Sequence, residues 1–108
     1  MDESQFKTLR ELAKDGTLSQ RDLSRKMGLS LGRVNYVINA LLEQGYINAE
    51  RFKNSKNKIG YMYVLTPRGV NERLVQTRAF LRRKTSEYEQ LRQEIAMLQE
   101  ETDNFQGR

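Results

Sequence analysis

Hydrophobic residues in the first part of the chain recur at helical spacing in three successive segments. In the first segment they share one helical face and are followed by a glycine: Phe6, Leu9, Leu12 and Ala13, with Gly16 after them. Side chains three and four positions apart lie on the same side of a helix, and glycine is typical of the position just after a helix end. The pattern therefore predicts a first helix that ends near Gly16.

The second and third segments each begin with a serine that can cap a helix. Ser19 is followed three positions later by Asp22, and Gly28 ends this short segment. A hydroxyl paired with an acidic side chain three residues later satisfies two backbone N–H groups at a helix start. Ser30 opens the third segment, whose hydrophobic positions fit one helical face before Gly45: Val34, Val37, Ile38, Leu41 and Leu42. Three short helices joined by tight turns are therefore predicted.

The pattern changes after the third helix. Residues 46–52 fit a strand poorly and a helix less well, whereas residues 60–65 are rich in strand-forming side chains, so we expect the two segments to pair as a hairpin. Thr66 and Pro67 suit the cap and the first position of another helix. Because neither proline nor glycine occurs between residues 69 and 107, one long final helix is predicted.

These elements define a fold class that is mainly α with a small β-hairpin, namely a winged helix-turn-helix followed by a long C-terminal coiled-coil helix. We expect residues 1–72 to form a winged helix-turn-helix DNA-binding domain and residues 73–108 to form a dimerisation helix. In a helix-turn-helix the second helix of the motif enters the major groove. Here that role falls to the third helix of the chain.

The final helix carries a heptad pattern. Ten positions between residues 74 and 105 alternate spacings of three and four, and seven of them are hydrophobic. If residue 74 is an a position, Glu87 falls at g and Arg92 at e, so a parallel pair of helices would join these opposite charges. The dimer interface predicted on this stripe comprises Leu74, Leu81, Tyr88, Leu91, Ile95 and Leu98. The alternative is a single helix that folds back onto its own domain.

The amino-acid composition argues against several classes of function. The 108 residues include no cysteine and no histidine, which excludes disulfides, cysteine-ligated zinc and the most common acid–base side chain. Glu43 and Glu50 are the only carboxylates between Asp22 and Glu72, and they belong to no recognisable acid–base or metal-ligand set. We therefore expect no catalytic activity, no metal site and no cofactor.

Neither a membrane anchor nor a leader is expected. No segment approaches the roughly 20 hydrophobic residues that a membrane span needs. The first residues, Met1 to Ser4, are acidic and lack the hydrophobic stretch of a signal peptide. We expect a cytoplasmic protein without a membrane partner.

Charge is distributed unevenly along the chain. Residues 1–84 hold 17 Lys or Arg and 8 Asp or Glu, whereas residues 85–108 hold 2 basic and 6 acidic side chains. A basic body favours binding to a polyanion such as nucleic acid. No acidic residue occurs from Leu23 to Leu42, the stretch that includes the third helix. The alternative is a basic surface that serves solvation alone.

The outward face of the third helix carries side chains suited to reading base pairs. Arg33 can bind guanine through its fork, and Asn35 or Asn39 can bind adenine. Tyr36 can contact a thymine methyl group or donate to a phosphate. The predicted recognition residues are Ser30, Gly32, Arg33, Asn35, Tyr36 and Asn39. The alternative is that these side chains merely cover the outside of a three-helix core.

Phosphate contacts are predicted at two further places. Ser19 and Gln20 lie at the start of the second helix, where hydroxyls and backbone N–H groups bind phosphate oxygens. The hairpin tip, residues 51–58, carries four positive charges and no negative one, and such a wing reaches the DNA backbone or the minor groove. Its predicted contacts are Arg51, Lys53, Asn54, Lys56 and Lys58. The alternative is that the lysines keep an exposed hairpin from pairing with other strands.

Two stretches of the chain carry a resemblance to a known family. LSQRDLSRKMGLSLGRVNYVINALLEQGYI, residues 18–47, resembles the helix-turn-helix of MarR-type regulators. RFKNSKNKIGYMYVLTPRGV, residues 51–70, is similar to the EPS-associated group of that family. The resemblance implies a bacterial, dimeric, winged-helix transcription factor that binds double-stranded DNA, and the group's label points to exopolysaccharide genes.

The family also sets an expectation about ligands. Typical MarR proteins are longer and have helices on both sides of the winged domain, which form the dimer interface and a ligand pocket. For this chain we expect no N-terminal extension of that kind, and we expect one C-terminal helix to serve dimerisation. The sequence does not decide whether a small-molecule effector binds. Without one, the activity of the protein would be regulated by its own abundance or by a partner protein.

Two rival functions fit parts of the pattern. The first is a protein-interaction winged helix with only non-specific affinity for nucleic acid. The second is an RNA or single-strand binder that stacks bases on Tyr36, Phe52, Tyr61 and Tyr63. Tyr61 and Tyr63 alternate along a strand, however, so we expect this pair to pack against the core or a helix.

Overall fold

The computed structural model describes residues 1–53 and 59–106. In chain order its elements are α1 (Glu3–Lys14), α2 (Gln20–Met27), α3 (Leu31–Glu43), β1 (Ile47–Lys53), β2 (Ile59–Leu65) and α4 (Pro67–Gln106). The predicted fold, mainly helical with one antiparallel hairpin and a long last helix, is confirmed. The chain divides into two compact units, the winged unit (Met1–Val75) and the helical tail (Gln76–Arg108).

A hydrophobic core forms where α1, α2, α3 and β1 of the winged unit meet. Its buried side chains are Phe6, Leu9, Leu12, Leu23, Val34, Val37, Ile38, Leu41 and Ile47. Ala13, predicted on the same face of α1, is instead exposed. It lines an open depression beside Leu12, Gly16 and Met62. Leu42, predicted on the core face of the third helix, is only partly buried against this core, and the other predicted helix positions follow the helical spacing of the sequence.

All three short helices begin with side-chain caps. Asp2 and Gln5 form a reciprocal capping box at α1, and Ser19 and Asp22 form another at α2. The Ser30 hydroxyl accepts a hydrogen bond from the backbone N–H of Arg33 at α3. These contacts satisfy N–H groups that have no partner within the helix. The predicted starts of α2 and α3 are thereby confirmed.

The two strands pair in an antiparallel register that runs from Ile47 opposite Leu65 to Lys53 opposite Ile59. The loop after α1 packs against this hairpin, because the Tyr63 N–H donates to the Gly16 carbonyl at 2.9 Å. A methyl group on Gly16 would lie 2.5 Å from the Tyr63 carbonyl oxygen. Gly16 is therefore required by close packing on β2, in addition to its predicted place after α1.

The start of α4 is fixed against the turn that precedes β1. The Thr66 hydroxyl donates to the Gly45 carbonyl at 2.6 Å and accepts from the Gly69 N–H at 3.0 Å. The Thr66 N–H donates to the Tyr46 carbonyl, also at 3.0 Å. A Cβ atom at Gly69 would lie 1.9 Å from the Tyr46 carbonyl oxygen. Only glycine fits this contact without movement of the backbone.

The helical tail buries none of its described residues, in contrast to the winged unit. Every described side chain from Leu81 to Gln106 is exposed. The large hydrophobic side chains among them are Leu81, Tyr88, Leu91, Ile95, Met97, Leu98 and Phe105. Despite these residues, no helix in residues 1–53 and 59–106 is long and apolar enough to cross a membrane.

Candidate nucleic-acid interface

Helix α3 separates a buried face from an exposed polar face. Val34, Val37, Ile38 and Leu41 face the core. Every predicted recognition residue is exposed, namely Ser30, Gly32, Arg33, Asn35, Tyr36 and Asn39. A Cβ atom built at Gly32 would meet nothing within 4 Å, so packing does not require glycine there. The polar face is thus accessible along the first two turns of the helix.

The guanidinium of Arg33 is held by two neighbours. Its Nη2 atom lies 3.4 Å from Oδ2 of Asp2, the cap of α1. Its central carbon lies 5.3 Å from the centroid of the Tyr36 ring, within the range of a cation–π contact. Asp2 and Tyr36 therefore both contact the Arg33 guanidinium, and Asp2 belongs to the surroundings of the predicted recognition face.

A chain of side-chain hydrogen bonds links α3 to α2 and β2. Asn39 Nδ2 donates to Asn35 Oδ1 at 3.2 Å, and Asn35 Nδ2 donates to Gln20 Oε1 at the same distance. Gln20 Nε2 in turn donates to the Tyr63 hydroxyl at 3.5 Å. The structure thus joins Gln20, predicted as a phosphate contact, to the two asparagines predicted to read bases.

The start of α2 combines a cap with an anchored carboxylate. The Ser19 hydroxyl accepts from the Asp22 N–H, and the Ser19 N–H donates to the Asp22 carboxylate, both at 3.0 Å. The hydrogen bond from the Ser19 backbone N–H to the carboxylate, then hydrogen bonding of the carboxylate with the Ser19 side chain and smaller contributions from Arg25, hold the pKa of Asp22 below its usual value of 3.8. Arg25 also forms an ion pair with Asp22 at 3.2 Å. The Asp22 carboxylate, which lies beside the predicted interface, therefore has its partners, Ser19 and Arg25, at the start of α2 and within it.

The described part of the wing is exposed and mixed in charge. Arg51 and Lys53 on β1 are exposed, as is Glu50. Phe52 is half-buried, and its ring lies 3.2 Å from the place where a Cβ atom of Gly60 would be. The other three predicted wing contacts, Asn54, Lys56 and Lys58, lie outside the described residues.

The two strand tyrosines differ from each other. Tyr63 packs against the hydrophobic core, as predicted, and its hydroxyl accepts from Gln20. Tyr61 is 57% exposed, so the prediction that both would pack is wrong for this residue. Tyr61 lies opposite Arg51 in the hairpin, on the same face as Tyr63 but two residues nearer the hairpin tip, beyond the part of that face that packs against the core.

The six predicted dimer residues are exposed within this single chain. Leu74, Leu81, Tyr88, Leu91, Ile95 and Leu98 are between 46% and 63% accessible. Between Leu81 and Tyr88 of this stripe, Arg83 and Lys84 lie 5.7 and 5.4 Å from the Phe80 ring centroid. No set of three or more acidic side chains suited to a metal ion occurs among the described residues.

Sequence reasoning missed two features of this face. Asp2 was not recognised as a cap, although an aspartate with glutamine three positions later is a capping-box signature. The link from Gln20 to Asn35 and Asn39 had no local signal, because it joins residues 15 positions apart. The first could have been found from the sequence, whereas the second depends on how α2 and α3 pack.

Comparison with known proteins supports the same architecture. Residues 1–48 match the family model for winged helix-turn-helix DNA-binding domains. No curated protein matches the chain at a significant level. A solved structure with a similar fold is MepR, the regulator of the Staphylococcus aureus multidrug efflux pump MepA, with a TM-score of 0.64 and 20% identity. The match covers 83% of this chain and 65% of MepR.

Two further matches were solved with DNA. Streptococcus pneumoniae FabT, in complex with DNA, has a TM-score of 0.60 and 20% identity over 80% of this chain and 59% of FabT. A mutant MarR from E. coli, complexed with operator DNA, has a TM-score of 0.55 and 23% identity over 68% of this chain and 51% of MarR. This chain therefore has the fold of MarR-type regulators, as the resemblance implied, and spans less than two thirds of each of these three proteins.

Proposed function

We propose that this chain is a MarR-like transcription regulator that binds a specific double-stranded DNA sequence as a homodimer, in the bacterial cytoplasm and without catalytic activity. The observation that carries the proposal is the polar face of α3. Its core-facing side is buried, and its six predicted recognition residues are exposed. The match of residues 1–48 to winged helix-turn-helix DNA-binding domains supports α3 as the helix that enters the major groove.

The proposed roles follow from donor and acceptor chemistry. Arg33 reads guanine through two N–H donors, and Asn35 and Asn39 supply the amide groups that suit adenine. Ser19, Gln20 and Ser30, at or beside helix starts, contact phosphates, as do Arg51 and Lys53 on the wing. With Gly32 open to solvent, the DNA backbone can approach α3 closely. These contacts divide the surface into a base-reading helix and phosphate-binding surroundings.

The proposed homodimer places two such faces on one DNA duplex. The hydrophobic stripe of the tail is exposed in the single chain, and a parallel coiled coil would bury it while pairing Glu87 with Arg92 of a second copy. Two α3 helices would then read half-sites about 10 bp apart, or a multiple of that distance. We also propose that the regulator controls exopolysaccharide genes, because residues 51–70 are similar to the EPS-associated group of MarR-type regulators.

The first experiment selects genomic DNA fragments with the purified protein at physiological salt, in the presence of excess random duplex. Enrichment of a palindromic motif is the expected result, because two copies of one recognition helix read related half-sites. Retention of fragments without any shared motif would contradict sequence-specific binding. It would favour the interaction-module alternative, in which basic side chains bind phosphates and the tail binds a protein.

Two substitutions then separate the roles. Arg33→Ala is expected to cost about 1–3 kcal/mol on the selected site and to relax preference at one base position. Lys53→Ala is expected to weaken binding to all duplexes to a similar degree and to flatten the dependence of the affinity on salt. Titration of both variants with the selected site and with random duplex measures this difference. Identical behaviour would show that the assigned roles are wrong.

A further inference from the structure

The contact between Asp2 and Arg33 carries an inference that rests on the proposed function and goes beyond it. We infer that Asp2 is a specificity-determining residue, which restrains Arg33 from binding phosphates non-specifically while leaving it able to bind guanine. The observation is that the carboxylate of the α1 cap lies 3.4 Å from a guanidinium on the candidate recognition face, 31 positions along the chain.

The two oxygens of Asp2 have separate partners. Oδ1 accepts the backbone N–H of Gln5 at 2.8 Å and so caps α1. Oδ2 faces Nη2 of Arg33. The helix cap thus fixes the carboxylate in place, and its second oxygen is directed at α3. A residue that served only to cap α1 would need one oxygen and no negative charge.

The negative charge affects the two classes of DNA contact differently. A phosphate is an anion, so a carboxylate beside the guanidinium both lowers the attraction and adds repulsion. The guanine edge is uncharged and offers two acceptors, O6 and N7. Arginine has five N–H donors, so a contact from one carboxylate oxygen leaves donors for a bidentate bond to guanine. Asp2 therefore penalises phosphate binding by Arg33 more than guanine binding.

Tyr36 contributes to the same arrangement. Its ring lies under the guanidinium, so Arg33 is held on one side by an aromatic face and at one end by a carboxylate. An arginine that is ordered before binding loses less side-chain freedom when it meets a base. Both side chains of the ion pair are about half exposed, 42% for Arg33 and 51% for Asp2. Pairs of this kind are weak, so a guanine edge can compete for the guanidinium.

The test compares Asp2→Asn with Glu3→Gln in the full chain. Asparagine caps helices as well as aspartate does, so Asp2→Asn keeps the bond to Gln5 but presents no negative charge to Arg33. Glu3→Gln removes the same charge one residue later, from a side chain that pairs with Lys7 at 3.1 Å. The two variants therefore share a net charge and differ in the contact with Arg33. Affinity is measured for the selected DNA site and for random duplex.

Asp2→Asn is expected to raise the affinity for random duplex about two- to five-fold more than Glu3→Gln does, which is the range for an exposed ion pair. The ratio of specific to random affinity is expected to fall by a similar factor in Asp2→Asn and to stay unchanged in Glu3→Gln. In an Arg33→Ala background, Asp2→Asn should no longer change the ratio. Asp2→Ser, which also retains a cap, should repeat the effect of Asp2→Asn.

Three results would overturn the inference. One is the same specificity ratio in Asp2→Asn and Glu3→Gln. Another is a loss of affinity for both duplexes in Asp2→Asn at an unchanged melting temperature, which would make Asp2 a positioning residue alone. The third is an effect of Asp2→Asn that persists without Arg33. If the unaltered protein shows no preferred DNA site, the proposed function fails, yet the two single variants still test the contact through their affinities for random duplex.

Discussion

The winged unit and the helical tail use hydrophobic residues in opposite ways. In the winged unit, leucines on α1, α2 and α3 are buried against one another, and Leu9, Leu23 and Leu41 have no accessible surface. In the tail, Leu91 and Leu98 are more than half exposed. The same amino acid therefore stabilises the first unit from within the chain, whereas in the tail it can contribute fully only through contact with another surface.

The difference teaches where each unit obtains its stability. The winged unit closes its own core, so its unfolding free energy is expected to be independent of protein concentration. A lone amphipathic helix is marginal in water, so order in the tail is expected to depend on association. Substitutions that compare equivalent residues in the two units test this contrast.

The largest effect is expected from Leu41→Ala in the core of the winged unit. A fully buried leucine that becomes alanine leaves a cavity and costs about 3–5 kcal/mol of unfolding free energy. Leu91→Ala in the tail removes the same atoms from a side chain that is 55% exposed, so the unfolding free energy of the winged unit should stay within about 0.5 kcal/mol. Urea denaturation followed by tyrosine fluorescence measures both. Equal losses would contradict the proposed difference between the units.

Substitution of two glycines, one in the first turn of α4 and one in the first turn of α3, tests whether each helix start is closely packed. Gly69→Ala is expected to destabilise the winged unit by about 1–3 kcal/mol, because its Cβ atom would collide with the Tyr46 carbonyl oxygen and the backbone must move. Gly32→Ala places the same atom in open space in the first turn of α3, and alanine is the better helix former by up to about 1 kcal/mol. Thermal melts of the two variants should shift in opposite directions. A neutral Gly69→Ala would mean that the junction between Tyr46 and α4 yields easily.

The tail is tested by two substitutions on one helix. Ile95 belongs to the predicted interface stripe, whereas Met97, which is 68% exposed, lies off it. Ile95→Asn is expected to weaken self-association by a factor on the order of 10–100, because each interface copy loses a buried hydrophobic side chain. Met97→Asn should leave self-association unchanged. Sedimentation over a range of protein concentrations measures both, and a monomeric unaltered protein would contradict the proposed dimer.

The smallest effect is expected from pH, through the anchored carboxylate of α2. Hydrogen bonds from Ser19 lower the pKa of Asp22 from 3.8, so the folded state favours the ionised group. Its contribution to stability is therefore present above pH 3.8 and is lost as the pH falls through the lower folded-state value. The melting temperature of Asp22→Asn should fall less steeply below pH 4 than that of the unaltered protein. If the melting temperatures of Asp22→Asn and of the unaltered protein fall with pH at the same slope, the Asp22 cap contributes nothing to the acid sensitivity of the fold.

Local signals in the sequence predicted much of the fold. The serines before α2 and α3, the turn glycines and the threonine–proline pair before α4 each act on neighbouring backbone groups, so they can be read from a few residues. The exposure of Tyr61 could not be read in this way, because Tyr61 and Tyr63 share one face of β2 and the alternation along a strand does not show how far along that face the core extends. The assignment of residues to DNA contacts stays a prediction, and so does the division of the chain at residue 72.

The bond between Gly16 and Tyr63 has a consequence for colloidal behaviour. The Tyr63 N–H donates to Gly16 rather than to β1, so it belongs to the outer edge of a two-stranded sheet, where unpaired backbone groups attract further strands from other molecules. The loop after α1 occupies this position on β2. Arg51 and Lys53 place charged side chains along β1, which discourages pairing with a second molecule. If the loop moved and the Gly16 carbonyl were withdrawn, the Tyr63 N–H would be an unpaired donor at the sheet edge. A strand from another molecule could then pair with β2, and aggregation would begin at the wing.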